Sequence, residues 1–75
     1  MLIDISAETY QAIIAFFTGL GLTAEDYGNY IGSDDQGYWV DYEYLVNNNW
    51  ATEIDGAVYL ISLRPSQKGM FIGNL

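Results

Sequence analysis

The side chains of this sequence that could do chemistry are almost all carboxylates. The 75 residues include ten Asp and Glu, two Lys and Arg, no His and no Cys. Without His and Cys, the usual general base and the strongest nucleophile are missing, and disulfides and the common zinc sites are excluded too. A domain of this length also rarely encloses a pocket for a small ligand. The sequence therefore predicts a binding protein that is not an enzyme and carries no cofactor.

Pairs of carboxylates are the chemistry that this composition leaves open. Asp41 and Glu43 are two residues apart, so on one strand they would share a face at about 7 Å, a separation at which two carboxylates can act as acid and base. Asp34 and Asp35 stand in a glycine-flanked run of turn formers and offer oxygen atoms of the kind that Ca²⁺ binds. Their spacing does not match an EF-hand loop. The sequence thus predicts a solvated turn there and no metal site.

Charge is distributed very unevenly along the sequence. The formal net charge is −8, and both basic residues, Arg64 and Lys68, lie near the carboxyl end, so residues 1–63 contain every acid and no base. Such a field repels nucleic acid and anionic membranes and steers the protein towards basic surfaces, and phosphate contacts need clustered Lys and Arg. We therefore predict a basic protein partner, with no direct nucleic-acid or membrane binding. The simpler alternative is that the charge only keeps an aromatic-rich protein soluble.

The apolar run at residues 12–22 is the one segment that resembles a targeting signal. It is shorter than the ~20 residues that span a bilayer. No Lys or Arg precedes it, as a secretory signal peptide would require. We therefore expect a cytoplasmic protein of the host cell that makes it.

Helical signals are concentrated at the start of the sequence. Ser6 is a suitable N-cap, Gly19 and Gly21 are suitable terminators, and the segment between them has apolar residues at helical spacing. That apolar face consists of Tyr10, Ile13, Ile14, Phe17 and Leu20. These features predict a helix over residues 7–19, preceded by a short strand or an extended segment at 2–5. Thr23 could cap a further turn of helix over 24–26, and the alternative for this segment is a loop.

Strand signals dominate the rest. Alternating side chains predict a strong strand over 38–46, although residues 42–51 can also be read as helix. The dipeptide Asp55-Gly56 is a preferred two-residue hairpin turn. Further strands are predicted at 27–31, 50–54, 57–63 (buried on both faces) and 68–72. Together these elements predict one α+β domain over residues 1–75, with one N-terminal helix packed on an antiparallel sheet of three to five strands in sequence order.

A row of acids beside aromatic residues is the best candidate for a partner-binding site. Carboxylates about 7 Å apart on a strand match the roughly 6–7 Å between successive phosphates on one DNA strand. Tryptophan is a typical interface anchor, a role that Trp39, Tyr38 or Trp50 could fill. The predicted partner-binding residues are Asp34, Asp35, Trp39, Asp41, Glu43, Glu53 and Asp55. The alternative for the acids is an ordinary solvated surface.

In size and composition, and in the acid-rich segment Gly-Tyr-Trp-Val-Asp-Tyr-Glu-Tyr at residues 37–44, the sequence resembles the small acidic inhibitors encoded by phages. These include anti-CRISPR proteins and other DNA mimics, which are diverse in fold. The resemblance implies a stoichiometric inhibitor that stops a basic host protein, such as a nuclease or a CRISPR effector, from binding DNA or its guide complex. Two alternatives stay open: an immunity protein or antitoxin that caps a nuclease, and an assembly protein that forms a homodimer or larger homo-oligomer.

Overall fold

A computed structural model of the chain describes residues 1–61 and 69–75. These residues form six strands and three helices. In chain order they are β1 (Leu2–Ile5), α1 (Ala7–Gly19), α2 (Ala24–Tyr27), β2 (Ile31–Asp34), β3 (Gly37–Asp41), α3 (Tyr42–Asn47), β4 (Ala51–Ile54), β5 (Ala57–Leu60) and β6 (Met70–Asn74). The strands build two antiparallel sheets of three strands each. The predicted α+β class, with an N-terminal helix packed on an antiparallel sheet, is confirmed.

Helix α1 begins and ends where its sequence predicts. The Oγ atom of Ser6 accepts a hydrogen bond of 3.1 Å from the backbone N–H of Thr9, which makes Ser6 the N-cap. Gly21 follows the last turn with φ +83°, a conformation that favours glycine after a helix. On the apolar face, Ile13 and Phe17 are completely buried, so α1 supplies the centre of the core.

Helix α2 is a single turn stabilised by a reciprocal cap. The Asp26 carboxylate accepts hydrogen bonds from the backbone N–H of Thr23 at 2.7 Å and from its hydroxyl at 3.0 Å. The predicted turn of helix is thus confirmed. The strand predicted at 27–31 is wrong, because Tyr27 still belongs to α2 and β2 begins at Ile31.

The first sheet has the order β1-β3-β2. Strands β2 and β3 form a hairpin that turns at residues 35–36, and β1 pairs with the other edge of β3. The expected sequence order is therefore wrong for this sheet. The physical reason is burial: β3, which is buried or half-buried along its whole length, takes the centre of the sheet, whereas β2, in which Ser33 and Asp34 are exposed, lies at an edge.

The predicted strand at 38–46 ends early, at Asp41, and the chain turns into α3. The Asp41 carboxylate accepts a hydrogen bond of 3.1 Å from the backbone N–H of Glu43, so Asp41 is the N-cap of α3. In a helix, Tyr42, Leu45 and Val46 share one face, and this arrangement buries Leu45 completely. The alternative helical interpretation of residues 42–51 is correct for 42–47.

The second sheet, β4-β5-β6, follows sequence order. Asp55 and Gly56 both have positive φ, +52° and +80°, which confirms the predicted two-residue hairpin turn. Strand β5 buries alternate residues, Val58 and Leu60, so the prediction of burial on both faces is wrong. Residues 62–68, including parts of two predicted strands and both basic side chains, lie outside the described residues.

The two sheets meet where β1 packs against β6. A side chain at Gly73 would bring its Cβ within 3.2 Å of the carbonyl oxygen of Asp4, so the absence of a side chain permits this approach. Between the sheets and α1 lies one cluster of buried residues: Ile3, Ile13, Phe17, Ile31, Val40, Leu45, Ala51, Val58, Leu60 and Ile72. Because this core is shared, the position of each sheet depends on the other.

Candidate protein-binding surfaces

The carboxylates lie at the surface. No charged side chain is buried among the described residues, and every acid except the half-buried Asp41 is exposed. Two basic side chains can compensate at most two of ten acids. The formal net charge of −8 therefore comes from carboxylates at the surface.

Asp41 and Glu43 are close together, although they do not lie on one strand as predicted. Asp41 ends β3 and Glu43 lies in the first turn of α3, and both accept hydrogen bonds from the N-terminal ammonium of Met1, at 3.1 Å and 2.8 Å. The bond with Glu43, followed by that with Asp41, raises the pKa of this ammonium group above its ordinary value. The expected spacing of two acids along one strand is therefore wrong. Asp41 and Glu43 fix the start of α3 against the start of β1.

One face of the first sheet has no helix against it among the described residues, and it carries both acids and a tryptophan. Helix α1 packs on the opposite face, where the rings of Tyr10 and Tyr38 lie 4.8 Å apart. On the free face, the register aligns Asp4 of β1, Trp39 of β3 and Gly32 of β2 in one row across the sheet. We call this free side the outer face of the first sheet. Its side-chain positions are Leu2, Asp4, Gly32, Asp34, Gly37, Trp39 and Asp41.

Trp39 lies flat on the backbone at Gly32. A Cβ atom at Gly32 would come within 2.6 Å of Cζ2, 3.1 Å of Cε2 and 3.2 Å of Cη2 of the indole. One side of the ring therefore covers the strand, and Trp39 as a whole is half-buried. Of the three aromatic residues predicted as anchors, Trp39 is the one that the fold places on this outer face.

Tyr38 and Trp50 have other roles. Tyr38 points to the α1 side of the first sheet, against Tyr10. Trp50 packs against Phe17 at 5.8 Å and makes an edge-on contact with Tyr44 at 5.5 Å. Burial raises the pKa of the Tyr44 phenol. Tyr44 and Trp50 thus pack against the buried core, and Tyr38 packs against α1.

The remaining predicted acids are divided between the two sheets. Asp34 belongs to the outer face of the first sheet and also accepts a 2.8 Å hydrogen bond from the backbone N–H of Gln36, which shapes the hairpin. Asp35 is exposed at the tip of the same hairpin. Glu53 and Asp55 lie on β4 and in the β4–β5 turn. The fold thus places Asp34 and Asp41 on the same face as Trp39, whereas Glu53 and Asp55 belong to the second sheet.

Asp4 is a member of the outer face that sequence reasoning missed. Its position between Ile3 and Ile5 indicates an outward side chain, because the flanking residues are apolar. That it lies directly beside Trp39 follows from the pairing of β1 with β3, two segments more than thirty residues apart. Local periodicity contains no information about such a pairing.

The second sheet also has an outer face, and it differs in chemistry. The side chains that alternate with the buried ones are Thr52, Ile54, Ala57, Tyr59 and Phe71. Ile54 is 53% exposed and Phe71 47% exposed, and the rings of Tyr59 and Phe71 touch edge to face at 5.7 Å. None of these five side chains is an acid or a base. We call this side the outer face of the second sheet.

A shallow cleft of about 370 Å³ lies between β1, the start of α1 and β6. Its polar lining includes Asp4, Ser6 and Thr9, but the hydroxyls of Ser6 and Thr9 bond to each other at 3.0 Å at the cap of α1. In residues 1–61 and 69–75, no three acidic side chains come close enough to hold a metal ion. The acidic and aromatic side chains of the described residues therefore form extended surfaces.

Comparison with known protein families, with curated protein sequences and with solved structures found no match to this chain. Among the helices that the structure describes, none is long and apolar enough to cross a membrane. The functional argument consequently depends on the surfaces described above.

Proposed function

We propose that the protein is a stoichiometric acidic inhibitor that binds a basic, nucleic-acid-handling protein and acts without catalysis. The observation that carries this proposal is the exposed charge: ten carboxylates are accessible, and the chain has only two basic residues to compensate them. A groove that binds nucleic acid is lined with Lys and Arg. A compact body covered with carboxylates complements such a groove and repels the nucleic acid itself.

The mechanism is competition for the basic surface. Long-range attraction brings the two proteins together, since a surface of one sign accelerates encounter with a surface of the other. Trp39, on a face with Asp4, Asp34 and Asp41, then provides apolar contact area of the kind that anchors interfaces. A nuclease or a CRISPR effector held in this way in the host cytoplasm has no free groove for DNA or for its guide complex. Capping of a nuclease by an immunity protein or antitoxin is the same mechanism with a dedicated partner.

The test measures binding to purified CRISPR effectors and nucleases that have basic grooves, with DNA as competitor. We expect the association rate to fall at least about tenfold between about 50 mM and 300 mM NaCl, because screening removes the steering. Added duplex DNA should displace the protein from the same partner. A complex whose association is insensitive to salt, or one that binds DNA as well as the free partner does, would contradict the proposal.

The outer face of the second sheet favours a second candidate, a homo-oligomer. Ile54 and Phe71 are about half exposed on a face whose described side chains include no acid or base, and such apolar surface often marks an interface. Association through it should persist or strengthen at about 500 mM NaCl, where repulsion between chains is screened. Sedimentation of the wild type and of Phe71→Asn at low and high salt tests this. A monomer in all four measurements excludes this candidate.

A further inference from the structure

The geometry points to the outer face of the first sheet as the docking surface, with an arginine side chain of the partner protein stacked on the indole of Trp39. This inference rests on the proposed function, and it names the group on the partner that is recognised. The carboxylates of Asp4 and Asp34 bind the edge of the guanidinium group. The occupant is thus a protein surface that presents arginine.

The first argument is that no element within residues 1–61 and 69–75 packs on this face, which leaves its side chains exposed. Helix α1 covers the other side of the sheet. On the outer face, Leu2 is 56% exposed, and Asp4 and Asp34 are both exposed. A sheet face with aromatic and aliphatic side chains in solvent is typical of an interaction surface.

The second argument is the position of the acids around the ring. Asp4 is the direct cross-strand neighbour of Trp39, and side chains in such pairs have Cβ atoms about 4.5–5.5 Å apart. On the opposite side, Asp34 lies on β2, diagonally across from Trp39 and two residues beyond Gly32. The two acids therefore lie on the two strands that flank Trp39, one on each side of β3. Asp41 contributes less, since it is already paired with a cation, the Met1 ammonium, and also caps α3, whereas Asp34 accepts only a neutral N–H, that of Gln36.

The third argument concerns the orientation of the indole. Because Gly32 has no side chain, one face of the indole contacts the strand. The other face of the ring is therefore directed away from the sheet. A cation above an aromatic ring is attracted by the π electrons, and tryptophan is the best of the aromatic side chains for this contact. The ring and the acids thus attract the same kind of group.

These features select arginine over lysine. The guanidinium group is planar, so it can stack on the indole and still direct N–H groups from its edge to two carboxylates. The ammonium group of lysine is a strongly hydrated point charge that cannot do both. Charge complementarity favours both bases equally, so a preference for arginine reports the planar guanidinium group, and the part of that preference that is lost in Trp39→Leu measures the contribution of the indole.

The probes are two capped eight-residue peptides, one of arginine and one of lysine, added to ¹⁵N-labelled protein. We expect the arginine peptide to shift the indole N–H of Trp39 and the backbone signals of β1, β2 and β3, while the indole signal of Trp50 stays in place. The arginine peptide should bind at least about threefold more tightly than the lysine peptide. This mapping uses the wild-type chain, so it does not depend on the folding of a variant.

Matched variants then separate local recognition from net charge. Asp4→Asn with Asp34→Asn removes two charges beside Trp39, and Glu53→Gln with Asp55→Asn removes two from the second sheet. At about 150 mM salt, where the screening length is about 8 Å, the first pair should weaken the arginine peptide about 2- to 30-fold. The second pair should weaken it less than about twofold. Trp39→Leu should weaken the arginine peptide about 2- to 30-fold and abolish the preference over lysine.

Some results would overturn the inference. Equal binding of the two peptides, equal effects of the two double variants, or shifts centred on the second sheet would each show that this face does not recognise arginine. The proposed function would survive those results if a basic partner is still inhibited in a salt-dependent way. Conversely, arginine binding at Trp39 without competition against DNA on any partner would contradict the proposed function and leave the docking site intact.

Discussion

At the scale of single residues, glycine and tryptophan together shape the candidate surface. Gly32 allows the Trp39 ring to lie on the backbone, so that a large apolar group is held in place among acidic side chains. Tryptophan gives large contact area, and a ring already held in place loses little freedom on binding. We therefore regard Gly32 as a determinant of the surface even though it has no side chain.

Gly32→Ala should displace the ring. The new Cβ would come within 2.6 Å of Cζ2 of Trp39, so we expect the Trp39 indole signal in NMR spectra to shift, with no change for Trp50. The unfolding free energy should change by less than about 1 kcal/mol, because the half-exposed ring can swing into solvent without straining the core. Gly19→Ala is the control, since no atom lies within 4 Å of its Cβ position; alanine there should stabilise α1 by about 0.5–1 kcal/mol. An unchanged Trp39 signal in Gly32→Ala would show that the ring is not in contact with the strand.

Asp26 provides a prediction about pH. Its pKa is lowered by hydrogen bonds from the backbone N–H of Thr23 and, second in size, from the Thr23 hydroxyl. A carboxyl whose folded pKa is lowered stabilises the fold above its unfolded pKa of about 3.9, and that stabilisation is lost as the pH falls through the folded value. Thr23→Val removes only the hydroxyl, so a carboxyl NMR titration should show the pKa of Asp26 moving part of the way back up. An identical titration in both proteins would mean that the hydroxyl does not bond to Asp26.

At the scale of elements, the junction of β3 and α3 changes the interpretation of Asp41 and Glu43. Asp41 ends the strand, begins the helix and contacts the ammonium group of Met1, so its first role is structural. Reversing the charge of Asp41 and Glu43 would disturb this junction as well as any interface. Charge substitutions that are meant to probe binding therefore belong at Asp4 and Asp34, which do not cap a helix.

Asp41→Ala should cost about 1 kcal/mol of unfolding free energy, the usual cost of losing an N-cap. Asp41→Asn should cost much less, because asparagine also accepts a hydrogen bond from the first turn of a helix. Urea unfolding of the two variants tests the difference. Equal losses in both would show that the negative charge of Asp41, near the Met1 ammonium, matters more than capping.

Local signals explain which elements could be predicted from the sequence. Ser6 and Gly21 mark the two ends of α1, and Asp55-Gly56 favours a hairpin turn. Both features depend only on residues that are neighbours in the sequence, so they could be predicted. Residues 42–46 alternate like a strand and also match a helix, and only the burial of Leu45 in three dimensions decides between them. The composition of the outer face of the first sheet could be predicted only in part for the same reason. Trp39 and Asp34 are among the residues that the sequence singles out, whereas the place of Asp4 beside Trp39 depends on the long-range pairing of β1.

At the scale of the whole molecule, the repulsion among carboxylates opposes the limited stabilisation that a small core provides. A net charge of −8 on 75 residues is self-repelling, and a chain of this length buries only a thin core. Excess negative charge therefore lowers the stability of the isolated protein. A basic partner would relieve this repulsion on binding.

Salt should therefore stabilise the free protein while it weakens the complex with a basic partner. We expect the urea midpoint to rise between about 20 mM and 500 mM NaCl, with an unchanged slope, because salt screens the repulsion among carboxylates. The variant with Asp4→Asn and Asp34→Asn has a smaller net charge, so its midpoint should rise less. A midpoint that falls with salt would mean that favourable ion pairs dominate the folded state.

The contact between β1 and β6 has a consequence for synthesis on the ribosome. The first sheet can be completed once residue 41 has emerged, but the edge of β1 that packs against Gly73 stays open until the final strand arrives. At about 5–20 residues per second this interval lasts a few seconds. During it, an unpaired strand edge can pair with a neighbouring nascent chain. The exposed charge of Asp4 in the middle of β1 discourages such pairing. The same carboxylate would therefore protect the nascent chain from mispairing and, after folding, belong to the outer face of the first sheet.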